Sequence, residues 1–239
     1  MKKIFFILFA SVFLISCLDY KRADIETVNA ATPTSGSDKF LSSYDFYDSV
    51  AEIRRQNREN VDFSIKYELR SSSVAVFAIH GGDIERGTSE IAEKIAGTDW
   101  SYYFFEGYGE DAKKYHVTSA KFDDLTALEI AAASKLGISF HAQRGTGEQI
   151  CVGGGNTEAA ALVARNLTEA GFPTEYPCRR MPGRSPVNIV NRPCLHGVQL
   201  EITQSLLDKL AIDSVYSDSF RTIIRNSLET YIAHMVSGV

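Results

Sequence analysis

The feature that most constrains the fold is an apolar run, residues 74–79, that ends directly at His80 and two glycines. An uninterrupted apolar run of this length is typical of a strand buried on both faces, as the strands of parallel sheets are. The residues after the glycines predict a turn that leads into a helix over 88–96. Asp83 and Glu85 lie in this turn, and carboxylates beside an imidazole are ligands that zinc accepts. The segment therefore predicts a strand, a turn and a helix, with a metal site where the strand ends.

Strand-like and helix-like segments alternate along the rest of the chain, which predicts an α/β sandwich with a mostly parallel or mixed sheet. Further strands are predicted over residues 102–105, 115–118, 138–140, 149–152, 187–190 and 197–202. Further helices are predicted over 124–135 with Gly137 closing it, over 157–170 behind the Asn156 cap, and over 217–236.

The first residues have the pattern of an export signal. Lys2 and Lys3 precede an apolar run over 4–16, which is short for a membrane span and typical of a signal-peptide core. The run ends at Cys17 in a pattern that resembles the lipobox of bacterial lipoproteins, where this cysteine is lipidated after cleavage. The alternative is an ordinary signal peptide with a chance cysteine. We therefore expect residues 1–17 to direct export and Cys17 to anchor the protein in a membrane of the cell envelope.

Residues 18–40 are polar and carry Pro, Ser, Gly and Thr in succession, which predicts a flexible tether. Residues 41–239 are then long enough for a single α/β domain with a substantial core. The formal net charge of −5 gives no general attraction for nucleic acid, so we expect no nucleic-acid partner.

Three cysteines follow the signal segment. An exported protein can form a disulfide, and three thiols leave one outside it. Cys178 and Cys194 flank a loop-like segment and are the better candidates, although the sequence leaves their pairing with Cys151 open.

Two histidines stand where predicted strands end. His80 and His141 each follow apolar residues, and the carboxyl ends of parallel strands meet at one edge of a sheet. Catalytic zinc commonly has three protein ligands and one open position. His80, His141 and Glu85 satisfy this number, with Asp83 as the rival carboxylate. The ligand set predicts one Zn²⁺ per chain.

These residues resemble the phage-type poly-γ-glutamate hydrolases, zinc enzymes that are related in fold to metallocarboxypeptidases. The resemblance covers about residues 62–236 and rests on His80-Gly81-Gly82-x-Ile84-Glu85-x-Gly87-Thr88-Ser89-Glu90-Ile91-Ala92, on His141 and on Gly197-Val198-Gln199-Leu200-Glu201. It implies a three-layer α/β/α sandwich with a central mixed sheet. It also implies that His80, His141 and Glu85 bind the zinc and that Glu201 is the general base. The wider carboxypeptidase group places its carboxylate three residues after the first histidine, where this chain has Asp83.

An anionic substrate requires local positive charge. Arg144 follows His141 closely, and we expect it at the pocket wall. Arg192 is a second candidate, and Arg179 and Arg180 are either carboxylate clamps or part of a solvated basic loop. For His116, a position at the surface is favoured over one beside the site.

The expected function is zinc-dependent hydrolysis of amide bonds in γ-linked poly-glutamate or a similar anionic peptide, by a monomer. One alternative is a zinc amidase that acts on small N-acyl amino acids or cell-wall peptides. Another is a non-catalytic surface lipoprotein that binds a polymer.

Overall fold

A computed structural model describes residues 45–237, which belong to one compact unit. The predictions for Cys17, the signal segment and the tether lie outside the described residues. No helix within residues 45–237 is long and apolar enough to cross a membrane.

The described elements alternate between strand and helix for most of the chain. The strands are β1 (Phe63–Glu68), β2 (Val74–Gly82), β3 (Ser101–Gly107), β4 (Leu136–Gln143), β5 (Ile150–Gly153), β6 (Thr174–Glu175) and β7 (Gly197–Thr203). The α-helices are α1 (Val50–Gln56), α2 (Thr88–Ala96), α3 (Leu125–Ala133), α4 (Thr157–Glu169), α5 (Gln204–Ile212) and α6 (Ser214–Ser237). Two 3₁₀ helices span Ala112–Tyr115 and Ile189–Asn191.

The strands form one mixed sheet in the order β1-β3-β2-β4-β7-β5-β6. The four central strands β3, β2, β4 and β7 are parallel to one another, whereas β1 and β5 pair antiparallel with β3 and β7. The predicted α/β sandwich with a central mixed sheet is confirmed. The parallel centre brings the carboxyl ends of β2, β4 and β7 to the same edge of the sheet.

The core lies on both faces of the sheet. In β2, Val74, Val76 and Ala78 pack in a cluster that contains residues of α2, α4, α5 and α6. The alternate β2 residues pack in a second cluster, which contains residues of α1 and α3. Side chains that alternate between two cores explain why the run has no polar positions.

Some local predictions were wrong. Residues 187–190 are not a strand, because Asn188 accepts a hydrogen bond from the backbone of Val190 and begins the 3₁₀ helix Ile189–Asn191. Residues 115–118 also form no strand, since a 3₁₀ helix occupies Ala112–Tyr115. Helix α3 ends at Ala133, and Gly137 lies inside β4 rather than at a helix end. The prediction contained no element at the positions of α1, β1 and α5.

The favoured disulfide was also wrong. Cys178 pairs with Cys151, not with Cys194. The two partners are buried, and β5 carries Cys151 beside Glu201 of β7 in the strand register. The crosslink therefore ties the segment after Cys178 to the sheet next to the candidate site.

Candidate metal centre and active site

The candidate site lies at the edge where the central parallel strands end. His80 is near the end of β2, and His141 near the end of β4 pairs in register with Glu201 of β7. All three side chains are buried. The predicted convergence of these residues at one edge is present in the structure.

The turn after His80 brings Glu85 back to the strand end. A Cβ on Gly81 would lie 2.9 Å from the Ser89 side chain, so only glycine fits the close approach of β2 to α2. The Glu85 backbone N–H donates to the His80 carbonyl at 2.8 Å, and the Thr88 hydroxyl donates to the Glu85 carbonyl at 2.7 Å. These bonds close the turn and direct the Glu85 carboxylate toward the histidine.

His80, Glu85 and His141 present atoms that converge on one point. His80 Nδ1 lies 3.0 Å from Glu85 Oε1 and 3.2 Å from His141 Nδ1, and His141 Nδ1 lies 3.4 Å from Glu85 Oε2. Ligand atoms at about 2.0–2.1 Å from one tetrahedral zinc ion are about 3.3–3.4 Å apart. The spacing of the two nitrogen atoms and the Glu85 carboxylate fits a zinc ion.

Hydrogen bonds support this assignment. His80 Nε2 lies 2.9 Å from the carbonyl of Val117, which can only accept, so Nε2 carries the proton and Nδ1 of the neutral ring offers a lone pair. The Ala142 backbone N–H donates to Glu85 Oε2 at 2.9 Å and orients the carboxylate. For His141 there is no such support, since its Nε2 is buried without a hydrogen-bond partner within residues 45–237.

The electrostatic environment keeps His80 neutral and Glu85 ionised. Burial lowers the pKa of His80 to about 4. Burial acts to raise the pKa of Glu85, but the contacts with His80 and His141 outweigh it and lower the pKa. Burial acts to lower the pKa of His141, but the Glu85 and Glu201 carboxylates outweigh it and raise the pKa. Glu85 and His80 are thus already in the forms that bind a metal, and His141 would release its proton when a metal binds.

His116 is a further candidate ligand that the sequence analysis expected at the surface. Its ring centroid lies 4.0 Å from that of His80, and its Nε2 lies 3.9 Å from Glu85 Oε1. His80, Glu85 and His116 form a group in which one ligand atom of each lies within 4.8 Å of the others. Asp45 Oδ1 lies 2.8 Å from His116 Nδ1 and so fixes this ring.

Asp45 is itself strongly perturbed. Burial acts to raise the pKa of its carboxyl, but hydrogen bonds with His116 and Thr118 outweigh it and lower the pKa to about 2. The carboxylate is therefore ionised at neutral pH and holds the His116 ring from the side opposite Glu85.

The rival carboxylate Asp83 lies beside the site, on the wall of the cavity that opens over it, and contacts a different loop. Its side chain is exposed, and Oδ2 accepts a hydrogen bond of 3.0 Å from the Gly109 backbone N–H. The structure thus places Glu85, rather than Asp83, among the histidines.

Glu201 is buried beside this cluster, although strand alternation alone would favour a solvent-facing position for it. Burial raises the pKa of its carboxyl to about 7, and the Glu85 charge adds to the rise. Its Oε1 accepts a hydrogen bond of 2.8 Å from Gln199 Nε2. A buried carboxyl that changes protonation near neutral pH has the properties of a general base.

A cavity of about 760 Å³ opens over the cluster. Glu85 and His116 line it, together with the cationic residues Arg86, Lys113 and Arg144. Arg144 therefore lies at the pocket wall as the sequence predicted. Arg86 and Lys113 were missed, because each stands among charges of both signs in the sequence, a pattern that is also typical of a solvated surface.

The other predicted arginines differ in position. Arg180 Nη2 donates to Gln143 Oε1 at 2.5 Å and to the Arg144 carbonyl at 2.7 Å, so it joins the segment after Cys178 to the cavity wall. Arg179 is exposed and Arg192 is half-buried, and neither is among the residues that line the cavity. Their contact with a substrate stays a prediction.

The comparison with known families agrees with this geometry. A family model described as "Poly-gamma-glutamate hydrolase" matches residues 47–233. The chain belongs to this family. The poly-γ-glutamate hydrolase match spans the described strands and all the residues of the candidate centre except Asp45. The protein is therefore assigned to a family of hydrolases.

Individual relatives extend the family match. The chain is 32% identical to the YndL protein of Bacillus subtilis (strain 168) over 185 residues, which cover 76% of this chain and 72% of YndL. A solved bacteriophage poly-γ-glutamate hydrolase is similar with a TM-score of 0.73 and 26% identity, over 79% of this chain and 99% of that one. A solved zinc-free form of YndL is similar with a TM-score of 0.72 and 29% identity, over 77% and 98% of the two chains.

Proposed function

We propose that this member of the poly-γ-glutamate hydrolase family is a zinc-dependent enzyme that cleaves amide bonds in γ-linked poly-glutamate. The observation that carries the proposal is the convergence of His80 Nδ1, His141 Nδ1 and the Glu85 carboxylate beside the buried carboxyl of Glu201. The family match and the zinc-free YndL relative support the substrate and the metal.

His80, Glu85 and His141 would hold the metal, and His116 is close to His80 and Glu85 and could be a further ligand. The chemistry that zinc supplies when bound is polarisation of an amide carbonyl and a lower pKa for water. Glu201 takes a proton from the attacking water and returns it to the leaving nitrogen. Its pKa of about 7, raised mainly by burial, allows both transfers near neutral pH.

The cavity suits an anionic chain. Each unit of γ-linked poly-glutamate carries a free carboxylate, and guanidinium groups bind carboxylates through paired hydrogen bonds. Arg86, Lys113 and Arg144 line the cavity above the centre, and Arg180 bonds to its wall. We assign to these four residues the recognition of the polymer's carboxylates.

We also propose that the protein is exported and held at the membrane by a lipid on Cys17, and that it acts there as a monomer. The disulfide between Cys151 and Cys178 supports export, since structural disulfides persist mainly in oxidising compartments.

The test is incubation of the zinc-loaded protein with poly-γ-glutamate, followed by measurement of polymer length and of new amino groups. Wild type is expected to shorten the polymer. Glu201→Gln is expected to lose at least about a hundredfold in kcat, because it removes the proton acceptor. Glu169→Gln at the exposed end of α4 is the matched control and should retain wild-type activity. Equal cleavage by wild type and Glu201→Gln would refute the mechanism.

Two further outcomes identify the alternatives. Bound zinc with cleavage of small N-acyl amino acids, but not of the polymer, would indicate an amidase. Binding of the polymer without cleavage of any amide would indicate a non-catalytic protein.

A further inference from the structure

A chain of buried amide groups leads from the 3₁₀ helix Ile189–Asn191 to the candidate general base. Asn188 Nδ2 donates to Gln199 Oε1 at 2.8 Å, and Gln199 Nε2 donates to Glu201 Oε1 at 2.8 Å. The three side chains are only 4–5% exposed. Gln199 and Glu201 are two residues apart in β7 and thus project on the same face of the sheet.

The orientation of both amides follows from their partners. Asn188 Oδ1 accepts a hydrogen bond of 3.2 Å from the Val190 backbone N–H, so its amino group faces Gln199. That amino group can only donate, so Gln199 must present its oxygen to Asn188 and its nitrogen to Glu201. The network therefore directs an N–H group at Oε1 of Glu201 and leaves Oε2 of the carboxylate outside this hydrogen bond.

The loop after Cys178 packs against the central amide. A Cβ on Gly183 would lie 2.6 Å from both Cδ and Oε1 of Gln199, and Gly183 has a φ of +60°. Asn191 Nδ2 donates to the Gly183 carbonyl at 2.7 Å and so holds this glycine in place. The Gln199 amide is thus confined between Asn188, Gly183 and Glu201.

We propose that Gln199, oriented by Asn188, is a positioning residue that holds the Glu201 carboxylate in the conformation needed for proton transfer. The inference rests on the proposed function, because it assigns Glu201 the role of general base. With Oε1 held by the Gln199 N–H, the proton taken from water is directed to Oε2. Gln199 does not line the cavity, so it acts through Glu201 rather than through contact with the substrate.

The test compares kinetics of the full zinc-loaded chain with poly-γ-glutamate as substrate. Gln199→Met keeps the length of the side chain and removes the amide. Partners that orient catalytic groups typically contribute about 10–100-fold to activity, so we expect kcat to fall by about this factor and KM to change less than about twofold. Gln149→Met is the matched control, because Gln149 also donates to a carboxylate, that of Glu175, and does not line the cavity. It should leave kcat unchanged.

A double variant separates positioning from a general structural role. In the Glu201→Gln background, Gln199→Met should lower kcat by less than about twofold, since the group on which it acts is already lost. An equal loss in both backgrounds, or no loss in the wild-type background, would overturn the inference. Gly183→Ala provides a second perturbation and should reproduce the loss of kcat if Gln199→Met does not fold.

An NMR measurement tests the hydrogen bonds of Gln199 without any substrate. If the wild type does not cleave poly-γ-glutamate, the proposed function fails, and the exchange of the Gln199 side-chain amide protons with solvent decides the inference. Exchange that is slowed at least about tenfold relative to a free glutamine, and that becomes fast in Asn188→Leu, would support the network. Fast exchange in the wild type would overturn it.

Discussion

The disulfide between Cys151 and Cys178 has an energetic consequence that can be measured. The two cysteines are 27 residues apart in sequence, and both are buried. The chain-entropy relation for a loop of this length gives a stabilisation of about 3.6 kcal/mol at 25 °C. Replacing both cysteines by alanine should lower the free energy of unfolding by about this amount. For a domain of this size, the melting temperature should fall by about 7–14 °C.

Urea unfolding of the full chain measures this difference directly. Cys194→Ala, which removes a cysteine outside the disulfide, is the control and should change the free energy of unfolding by less than about 1 kcal/mol. Reduction of the wild type should reproduce the effect of the double variant. A loss of less than about 1 kcal/mol in the free energy of unfolding of the double variant would refute the reasoning. In the chain-entropy relation, a crosslink that closes a loop of this length destabilises the unfolded chain by more than that.

Three further predictions address the centre and the cavity. Glu85→Gln should weaken zinc binding at least about tenfold in a competition titration, whereas Asp83→Asn should bind zinc like the wild type. Weaker binding by Asp83→Asn and unchanged binding by Glu85→Gln would show that Asp83 is the ligand. Asp45→Asn should lower the free energy of unfolding by about 2 kcal/mol at pH 5–7 and by about half as much at pH 3. The reason is that the pKa of Asp45 is lower in the folded protein than its unfolded value of 3.8. The ionised carboxylate therefore stabilises the folded state above that pH, and this stabilisation is lost as the pH falls toward 2. A difference from wild type that stays constant over that pH range in urea unfolding would contradict it. Arg144→Ala should raise KM for poly-γ-glutamate about tenfold with little change in kcat, and an equal effect of Arg165→Ala on the exposed side of α4 would argue against cavity recognition.

The sequence predicted the central part of the fold because that part follows local patterns. The apolar run before His80 and the shorter one before His141 identify two strands by their composition alone. Parallel pairing then brings their ends to one edge, where the structure places both histidines next to Glu85. The helix that begins after Asn156 was also predicted, since its cap and its alanine-rich sequence are local signals.

Other features depend on contacts between distant residues. His116 reaches His80 because a 3₁₀ helix ends beside β2 and Asp45, 71 residues away, holds the ring. Cys151 meets Cys178 because β5 places it near that loop, which spacing alone does not indicate. Residues 187–190 have strand-forming side chains, but Asn188 begins a 3₁₀ helix through its own side chain. In the first two cases tertiary packing decides the position, and in the third a local side-chain hydrogen bond outweighs the strand preference.

The most direct test of the central claim is the cleavage of poly-γ-glutamate before and after complete removal of zinc. The account predicts that the zinc-loaded protein shortens the polymer, that chelation abolishes this activity, and that about one zinc ion per chain restores it. Undiminished cleavage by fully metal-free protein would contradict the account, as would a zinc-loaded protein that leaves the polymer intact.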